Sequence, residues 1–370
     1  MRDFHPRLET ACVFQATEQY PFNMECTLTD CADEGLLVSW TTGGHVEPLA
    51  GNFTRASRSH DGGQTWEEPF TLFSHPFKGV FTPRISRHGD TVYAFPGSYY
   101  DHSQFAEDFM CYVSESRDNG RTFSSPHTLS GAPAALHVKQ TLEIGGRLLL
   151  FGSMREIVGD AWAAPTVGRS AKPCVVAGQS SPHGEMEQSM SVGYFMGQVG
   201  NWIFGNTIEE IVTIERKPDG RYELLGVVDA DLKQMTEPTA VELADGRLKL
   251  LMRCNVDHRL YESESEDGGR TWTKAKRTDI PAPPSKARLF KDGRGRVLLL
   301  HNPCETTRTP LSLWRSDDGM ETWREKIDLV RDSERWACYP DGFVDEKTDT
   351  LNFVWEDRAN IWFSRFPLDD

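Results

Sequence analysis

The octet SHDGGQTW at residues 59–66 is the stretch of sequence that decides the fold. Its pattern S-x-D-x-G-x-T-W returns at residues 116–123, with Phe at the last position, at 265–272, and at 316–323, with Met in place of the pattern's Gly. A weaker echo lies at 217–221. Ser and Asp side chains bond to nearby backbone groups, and Gly supplies the positive φ that a short turn needs. Each octet therefore predicts a tight hairpin, whose Trp or Phe anchors it between neighbouring sheets.

A second repeat alternates with the octets and consists of a turn residue followed by a β-rich apolar run. It occurs six times, at residues 35–40, 90–95, 146–151, 245–251, 295–300 and 349–355. No helical period of similar strength appears, so repeated small antiparallel sheets around a channel are favoured. We predict an all-β, six-bladed β-propeller of four-stranded blades spanning residues 1–370. The segment at residues 8–14 is expected to close the ring, and the third blade is expected to carry an insertion around residues 156–205.

Composition narrows the classes of partner. The formal net charge is −15, which disfavours binding to nucleic acid. The start of the sequence has no apolar signal-peptide core and no stretch is long enough for a membrane span, so we expect a cytoplasmic protein without a membrane partner. The eight cysteines show no C-x-x-C spacing and are expected to be reduced. No phosphate loop or metal-ligand spacing appears, and no cofactor is expected. The oligomeric state is left open.

The octets resemble the Asp boxes, or BNR repeats, of sialidases (neuraminidases), and the six units extend this resemblance over nearly the whole chain. Asp boxes are structural turns remote from the active site, and propellers without enzymatic activity also carry them. The resemblance therefore implies the fold, and the function has to be argued from other residues.

Four residues carry the functional resemblance. Glu237, in the segment TEPT, and Arg253, which closes the next strand, resemble the sialidase catalytic glutamate and a carboxylate-binding arginine. Arg308 resembles a second such arginine, and Tyr339, in the segment CYPD, resembles the tyrosine nucleophile. A neutral phenol suits a sugar with a carboxylate on its anomeric carbon, because an anionic nucleophile would be repelled. The resemblance implies an exo-glycoside hydrolase in which Glu237 is the base for Tyr339 and both arginines hold an acidic sugar.

The chain departs from the sialidase pattern at two places. The first arginine of the family is missing, since residues 22–26 read FNMEC, and the acid/base aspartate is absent. The loop at residues 42–48 offers His45 and Glu47 instead, a pair resembling that of the divergent, predicted-neuraminidase branch. Either residue could be the general acid. Arg84 could replace the missing arginine. Further candidates for substrate binding are Arg358, His137 and Asp101.

Two other functions stay open at this point. The first is a polysaccharide lyase or a glycosidase acting at a uronic acid-linked sugar, such as rhamnose-glucuronate, with His45, His137 and Arg84 in the site. The second is a propeller that binds glycan without chemistry. In the two catalytic interpretations the expected partner is a carbohydrate with an acidic sugar.

Overall fold

The structure is a computed structural model that describes residues 3–32, 35–47, 49–99, 109–133, 135–157, 207–231, 235–332 and 336–368. These residues form six four-stranded antiparallel sheets and no helix. Blade 1 holds β2 (Asn23–Asp30), β3 (Leu36–Thr42), β4 (Phe53–Ser59) and β5 (Phe70–Phe73); blade 2 holds β6 (Gly79–His88), β7 (Thr91–Tyr99), β8 (Met110–Ser116) and β9 (His127–Thr128); blade 3 holds β10 (Leu136–Ile144), β11 (Arg147–Ile157), β12 (Thr207–Arg216) and β13 (Tyr222–Val227). Blade 4 holds β14 (Met235–Glu242), β15 (Leu248–Cys254), β16 (Arg259–Ser265) and β17 (Lys276–Pro281); blade 5 holds β18 (Arg288–Lys291), β19 (Val297–His301), β20 (Leu311–Ser316) and β21 (Glu325–Val330); blade 6 holds β22 (Cys338–Asp345), β23 (Thr350–Asp357), β24 (Asn360–Pro367) and β1 (Glu9–Phe14).

The six sheets form a closed ring, which confirms the predicted propeller. The first strand in sequence of each complete blade, from β2 to β22, contacts the first strands of both neighbouring blades, and the contact of β22 with β2 closes the circle. The apolar clusters lie between neighbouring sheets; one of them joins Trp40 and Val38 of blade 1 to Val354 and Phe363 of blade 6. Each sheet therefore buries both of its faces, which explains why the predicted apolar runs are nearly continuous.

The N-terminal segment fastens the ring at two blades. As predicted, β1 supplies the outermost strand of blade 6 by pairing with β24. The preceding residues reach further, into blade 5, where the His5 amide donates to the Leu329 carbonyl at 2.9 Å and the Arg331 amide donates to the Asp3 carbonyl at 2.7 Å. Backbone hydrogen bonds thus hold the N-terminal segment to blades 5 and 6.

The octets form the expected turns between the third and fourth strands of their blades. In the first, the Gly63 amide donates to Ser59 Oγ at 2.8 Å and the Thr65 amide donates to Asp61 Oδ1 at 2.9 Å. The bonds from Thr65 and Ser59 lower the Asp61 pKa to about 2. The closing Trp66 packs edge-on against Phe363 of the adjacent blade, with ring centroids 5.4 Å apart. The octets anchor neighbouring sheets to one another, as expected from their aromatic residue.

The first strands of five blades share an irregularity that positions the candidate site. Their pairing register shifts between Met24 and Thr27, Phe81 and Arg84, Val138 and Gln140, Thr236 and Thr239, and Cys338 and Asp341. Three of the bulged residues, Glu25, Glu237 and Tyr339, have φ values of 56°, 50° and 52°. Positive φ costs roughly 1–3 kcal/mol for a non-glycine residue and is concentrated at functional sites.

Among the described residues, no helix has the length and apolarity needed to cross a membrane. The predicted insertion falls almost wholly on residues 158–206, which follow β11 and precede β12 and lie outside the described residues. Seven cysteines lie in the described ranges, and all seven are free thiols.

Candidate active site

Two bulged positions from separate blades meet at one arginine. Arg253, near the end of β15, donates from Nη1 to Glu237 Oε2 at 2.8 Å and to the hydroxyl oxygen of Tyr339 at 3.1 Å. Glu237 lies in blade 4 and Tyr339 in blade 6. Nη1 of Arg253 thus contacts both a carboxylate and a phenol, which lie 102 positions apart in the sequence.

The surroundings of Arg253 shift the pKa values of Glu237 and Tyr339 in opposite directions. Burial disfavours the ionised form of Glu237, but the charges of Arg253 and Lys139 outweigh burial and lower its pKa to about 2. Burial, together with the Glu237 charge, raises the pKa of the Tyr339 phenol. Glu237 is therefore an anion and Tyr339 a neutral phenol when no ligand is present.

Arg308 completes the group from the loop between β19 and β20. Its guanidinium carbon lies 4.9 Å from the centroid of the Tyr339 ring and 5.3 Å from that of Trp336. Its Nη2 donates to the Pro284 carbonyl at 2.6 Å, which orients the guanidinium plane. Arg253 and Arg308 therefore flank the same phenol, and both are partly exposed to solvent.

Lys139 and Glu25 adjoin Glu237 on the other side. Lys139 Nζ lies 3.3 Å from Glu25 Oε1 and 3.9 Å from Glu237 Oε1. Glu25 lies in residues 22–26, the segment where the family resemblance would have placed an arginine. The site therefore holds a carboxylate at that place, paired with a lysine from blade 3.

The loop between β3 and β4 brings Glu47 to this group. Asn52, which is buried, holds the loop: its side chain donates to the Val46 carbonyl at 3.2 Å and accepts from the Leu49 amide at 2.8 Å. Glu47 Oε2 is buried and has no hydrogen-bond partner among the described residues. Burial, followed by the charge of Glu25, raises the Glu47 pKa well above its usual value. His45, two residues earlier, is exposed.

Glu356 is a further buried carboxyl at the site. Its Oε2 accepts from the Glu25 amide at 2.7 Å and its Oε1 accepts from the Cys338 thiol at 3.4 Å. Burial raises the Glu356 pKa to about 7, although the charge of Arg308 acts in the opposite direction. This carboxyl is therefore partly protonated near neutral pH.

Arg84 lies in a buried ion cluster, where its guanidinium is engaged by Asp341. Its Nη1 donates to Asp341 Oδ1 at 2.6 Å, and Arg288 Nε lies 2.8 Å from the same oxygen. Asp341 follows Tyr339 by two residues, and its Oδ2 accepts from the Leu28 amide at 3.1 Å. The cluster therefore ties four blades together next to the nucleophile candidate and leaves Arg84 occupied by a protein carboxylate.

The contacts described above do not include His137 or Arg358. His137 is buried, with its ring centroid 5.2 Å from those of both Phe81 and Phe109. Arg358 lies in the turn between β23 and β24 with a φ of 48°. Asp101 falls outside the described residues.

Sequence reasoning missed a binding or positioning role for Glu25, Glu356, Lys286, Arg288 and Asp341. Lys286, also buried, has its Nζ 5.9 Å from the Tyr339 ring centroid and donates to the Cys26 carbonyl at 3.4 Å. A comparison of the six first strands would have found several of these residues, because KAR at 286–288 and YPD at 339–341 repeat the spacing of EPT at 237–239. Within the described ranges, no cluster of three or more His, Cys, Asp or Glu side chains has a metal-binding arrangement.

Comparisons with known proteins agree with this architecture. A family model described as a BNR repeat-like domain matches residues 194–351. The Hadza microbial sialidase Hz136 is 17% identical, with a TM-score of 0.72, over 97% of this chain and 68% of that chain. A protein of unknown function from Dyadobacter fermentans is 14% identical, with a TM-score of 0.68, over 99% of this chain and 100% of that chain. Trypanosoma rangeli sialidase, solved with sialic acid, is 12% identical, with a TM-score of 0.67, over 99% of this chain and 60% of that chain. No curated protein gives a significant match.

The ring of six blades and its octet turns define a six-bladed β-propeller. The match to the BNR repeat-like domain and the likeness in fold to sialidases agree with the resemblance found in the sequence. The structural likeness concerns the fold; the chemistry rests on the residues described above.

Proposed function

We propose that the protein is a sialidase-like exo-glycoside hydrolase that removes a terminal acidic sugar. The observation that carries this proposal is the contact of Arg253 with both Glu237 and Tyr339, at 2.8 Å and 3.1 Å, with Arg308 stacked on the same phenol. Two guanidinium groups beside a buried phenol form a site for a carboxylate next to a neutral nucleophile. The solved complex of the similarly folded Trypanosoma rangeli sialidase with sialic acid supports this choice of substrate class.

In this mechanism the substrate activates the base. Without substrate, Arg253 donates to Glu237 and holds its pKa at about 2, too low to take a phenol proton. A substrate carboxylate that pairs with Arg253 and Arg308 neutralises part of this charge, so the Glu237 pKa rises. Glu237 then accepts the Tyr339 proton as the phenol oxygen bonds to the anomeric carbon and the glycosidic C–O bond breaks.

Glu47 is the general acid in this proposal. Its raised pKa keeps it protonated, and its buried Oε2 has no partner among the described residues. It donates its proton to the leaving oxygen and later takes a proton from the water that attacks the anomeric carbon of the tyrosyl intermediate. As the bond from the sugar to Tyr339 breaks, Glu237 returns its proton to the phenol oxygen. His45 is exposed on the same loop and is the weaker candidate for this role.

The test is a panel of fluorogenic glycosides of N-acetylneuraminic, glucuronic and galacturonic acids, with rhamnosides included. The native protein should hydrolyse an acidic glycoside, and Tyr339→Phe should lower kcat by at least about 100-fold while substrate binding is retained. Tyr222→Phe, a change at a buried tyrosine in the outer strand of blade 3, is the matched control and should retain activity. Full activity of Tyr339→Phe, or an unsaturated product that absorbs in the near ultraviolet, would contradict the proposal; the latter would indicate a lyase.

A further inference from the structure

The candidate site is divided into two sides of opposite charge. Arg253, Arg308 and Lys286 surround the Tyr339 ring on the basic side. The acidic side holds three carboxyl groups from blades 1 and 6, which are those of Glu25, Glu47 and Glu356. A ligand carboxylate would occupy the basic side, which leaves the acidic side to contact another part of the same ligand.

The acidic side has more carboxyl groups than cations. Among the described residues, Lys139 is the only cation within 4.0 Å of Glu25, Glu47 or Glu356, and it contacts Glu25 alone of these, at 3.3 Å. It is shared with Glu237 at 3.9 Å. Glu356 accepts from an amide and a thiol, which are neutral donors. The described residues therefore supply this side with one shared cation for three carboxyl groups.

Glu47 has an unsatisfied oxygen on the acidic side. Its Oε2 is buried and accepts no hydrogen bond from any described residue. An unsatisfied buried carboxylate oxygen is costly, so either a proton or a ligand donor must satisfy it. The charges of Glu25 and Glu356 further disfavour ionisation of Glu47, and a cationic ligand group beside these carboxyls would oppose that effect.

We propose that the acidic side binds a free ammonium group of the sugar whose carboxylate is held by Arg253 and Arg308. The preferred substrate is thus an acidic amino sugar with an unsubstituted amine. An ammonium group offers three donors and a second positive charge, whereas an acetamide offers one donor, one acceptor oxygen and no charge. This inference rests on the proposed function, because it assumes that a sugar carboxylate binds on the basic side.

The experiment compares pairs of ligands that differ only at the amine. The methyl glycosides of neuraminic acid and of 2-amino-2-deoxyglucuronic acid are titrated calorimetrically against their N-acetyl forms, with Tyr339→Phe used so that the ligands are not consumed. The free amine of at least one pair should bind about tenfold more tightly or better, as expected for one charge-assisted hydrogen bond. In the same background, Glu25→Gln and Glu47→Gln should each reduce this preference to about threefold or less.

Glu223→Gln, a change at an exposed glutamate of blade 3, is the control and should keep the full preference. Thermal unfolding of each variant checks that the fold is retained. Equal binding of amine and acetamide, or a preference that survives both Glu→Gln changes, overturns the inference. Hydrolysis of N-acetyl substrates without any amine preference would overturn this inference alone, whereas failure of every acidic glycoside to bind would also overturn the proposed function.

Discussion

Asp341→Asn should destabilise the protein far more than the same change at an exposed, ion-paired aspartate. Asp341 is 1% exposed, and its Oδ1 lies 2.6 Å from Arg84 Nη1 and 2.8 Å from Arg288 Nε. The asparagine side chain has the same shape but no charge, so it leaves two buried guanidinium groups without an anion. Breaking a buried ion pair in this way costs about 3–5 kcal/mol. The Leu28 amide also donates a hydrogen bond to Asp341 Oδ2 at 3.1 Å, and loss of this bond adds to the cost if the side chain shifts.

The free energy of unfolding is measured by urea denaturation followed by tryptophan fluorescence. Asp231→Asn is the control, because Asp231 is exposed and pairs with Lys274 on the surface, where an ion pair contributes about 0–1 kcal/mol. Arg84→Met then completes a double-mutant cycle with Asp341→Asn. The double variant should be less unstable than the sum of the single variants, since Arg84→Met removes one of the two unpaired cations.

The same change should alter the acid dependence of stability. Burial alone would raise the Asp341 pKa, but the charges of Arg84 and Arg288 outweigh it and lower the pKa below its ordinary value. The carboxylate therefore stabilises the fold above an unfolded pKa of about 3.9, and this contribution is lost as the pH falls through the folded pKa. Asp341→Asn should lose less stability than the native protein on acidification. A loss below about 1 kcal/mol at pH 7, or additivity in the cycle, would refute this account of the cluster.

Four further predictions concern the turns, the site and the ring closure. Gly63→Ala should destabilise the fold by about 2 kcal/mol or more in urea denaturation, because φ is 92° and the added Cβ would lie 2.1 Å from the Phe363 ring; a neutral effect would contradict the packing described. Glu356, whose pKa is raised to about 7, favours the fold when protonated, and this contribution is lost as the pH rises from about 4.3 through 7, so Glu356→Gln should gain stability relative to the native protein between pH 5 and 8. Arg308→Lys should raise KM for an acidic glycoside about tenfold or more with a smaller effect on kcat, since lysine cannot form a bidentate pair; an unchanged KM would remove Arg308 from the clamp. Deletion of residues 1–8 should lower the thermal midpoint because it removes the bonds to blade 5, and an unchanged midpoint would show that β1 closes the ring by itself.

The sequence alone determined the repeated architecture. The octets and apolar runs are local patterns, and each turn is satisfied by bonds between residues two to four positions apart, such as Ser59 with Gly63 and Asp61 with Thr65. Such contacts can be inferred from neighbouring residues, and six similar units leave few ways to bury their strands. The closing role of the N-terminal segment followed from the same argument, because the sixth unit lacked an outer strand.

The site could be predicted in part. Glu237, Arg253, Arg308 and Tyr339 were recognised from a resemblance, and the structure brings them together. Their electrostatic surroundings could not be inferred, because those depend on groups from other blades. Arg84 is an example: the sequence suggested a substrate ligand, whereas the fold places it against Asp341, 257 positions away.

Only the tertiary structure decided which charges meet. Bulges in the first strands turn side chains from several blades toward one another, and no local pattern specifies which residue of blade 1 will lie beside blade 3. Glu25, 114 positions from Lys139, acquires that partner only when the ring closes. The physical reason is that turns and strand pairing within a blade depend on nearby residues, whereas a pKa or an ion pair at the channel depends on the summed field of groups that ring closure brings together.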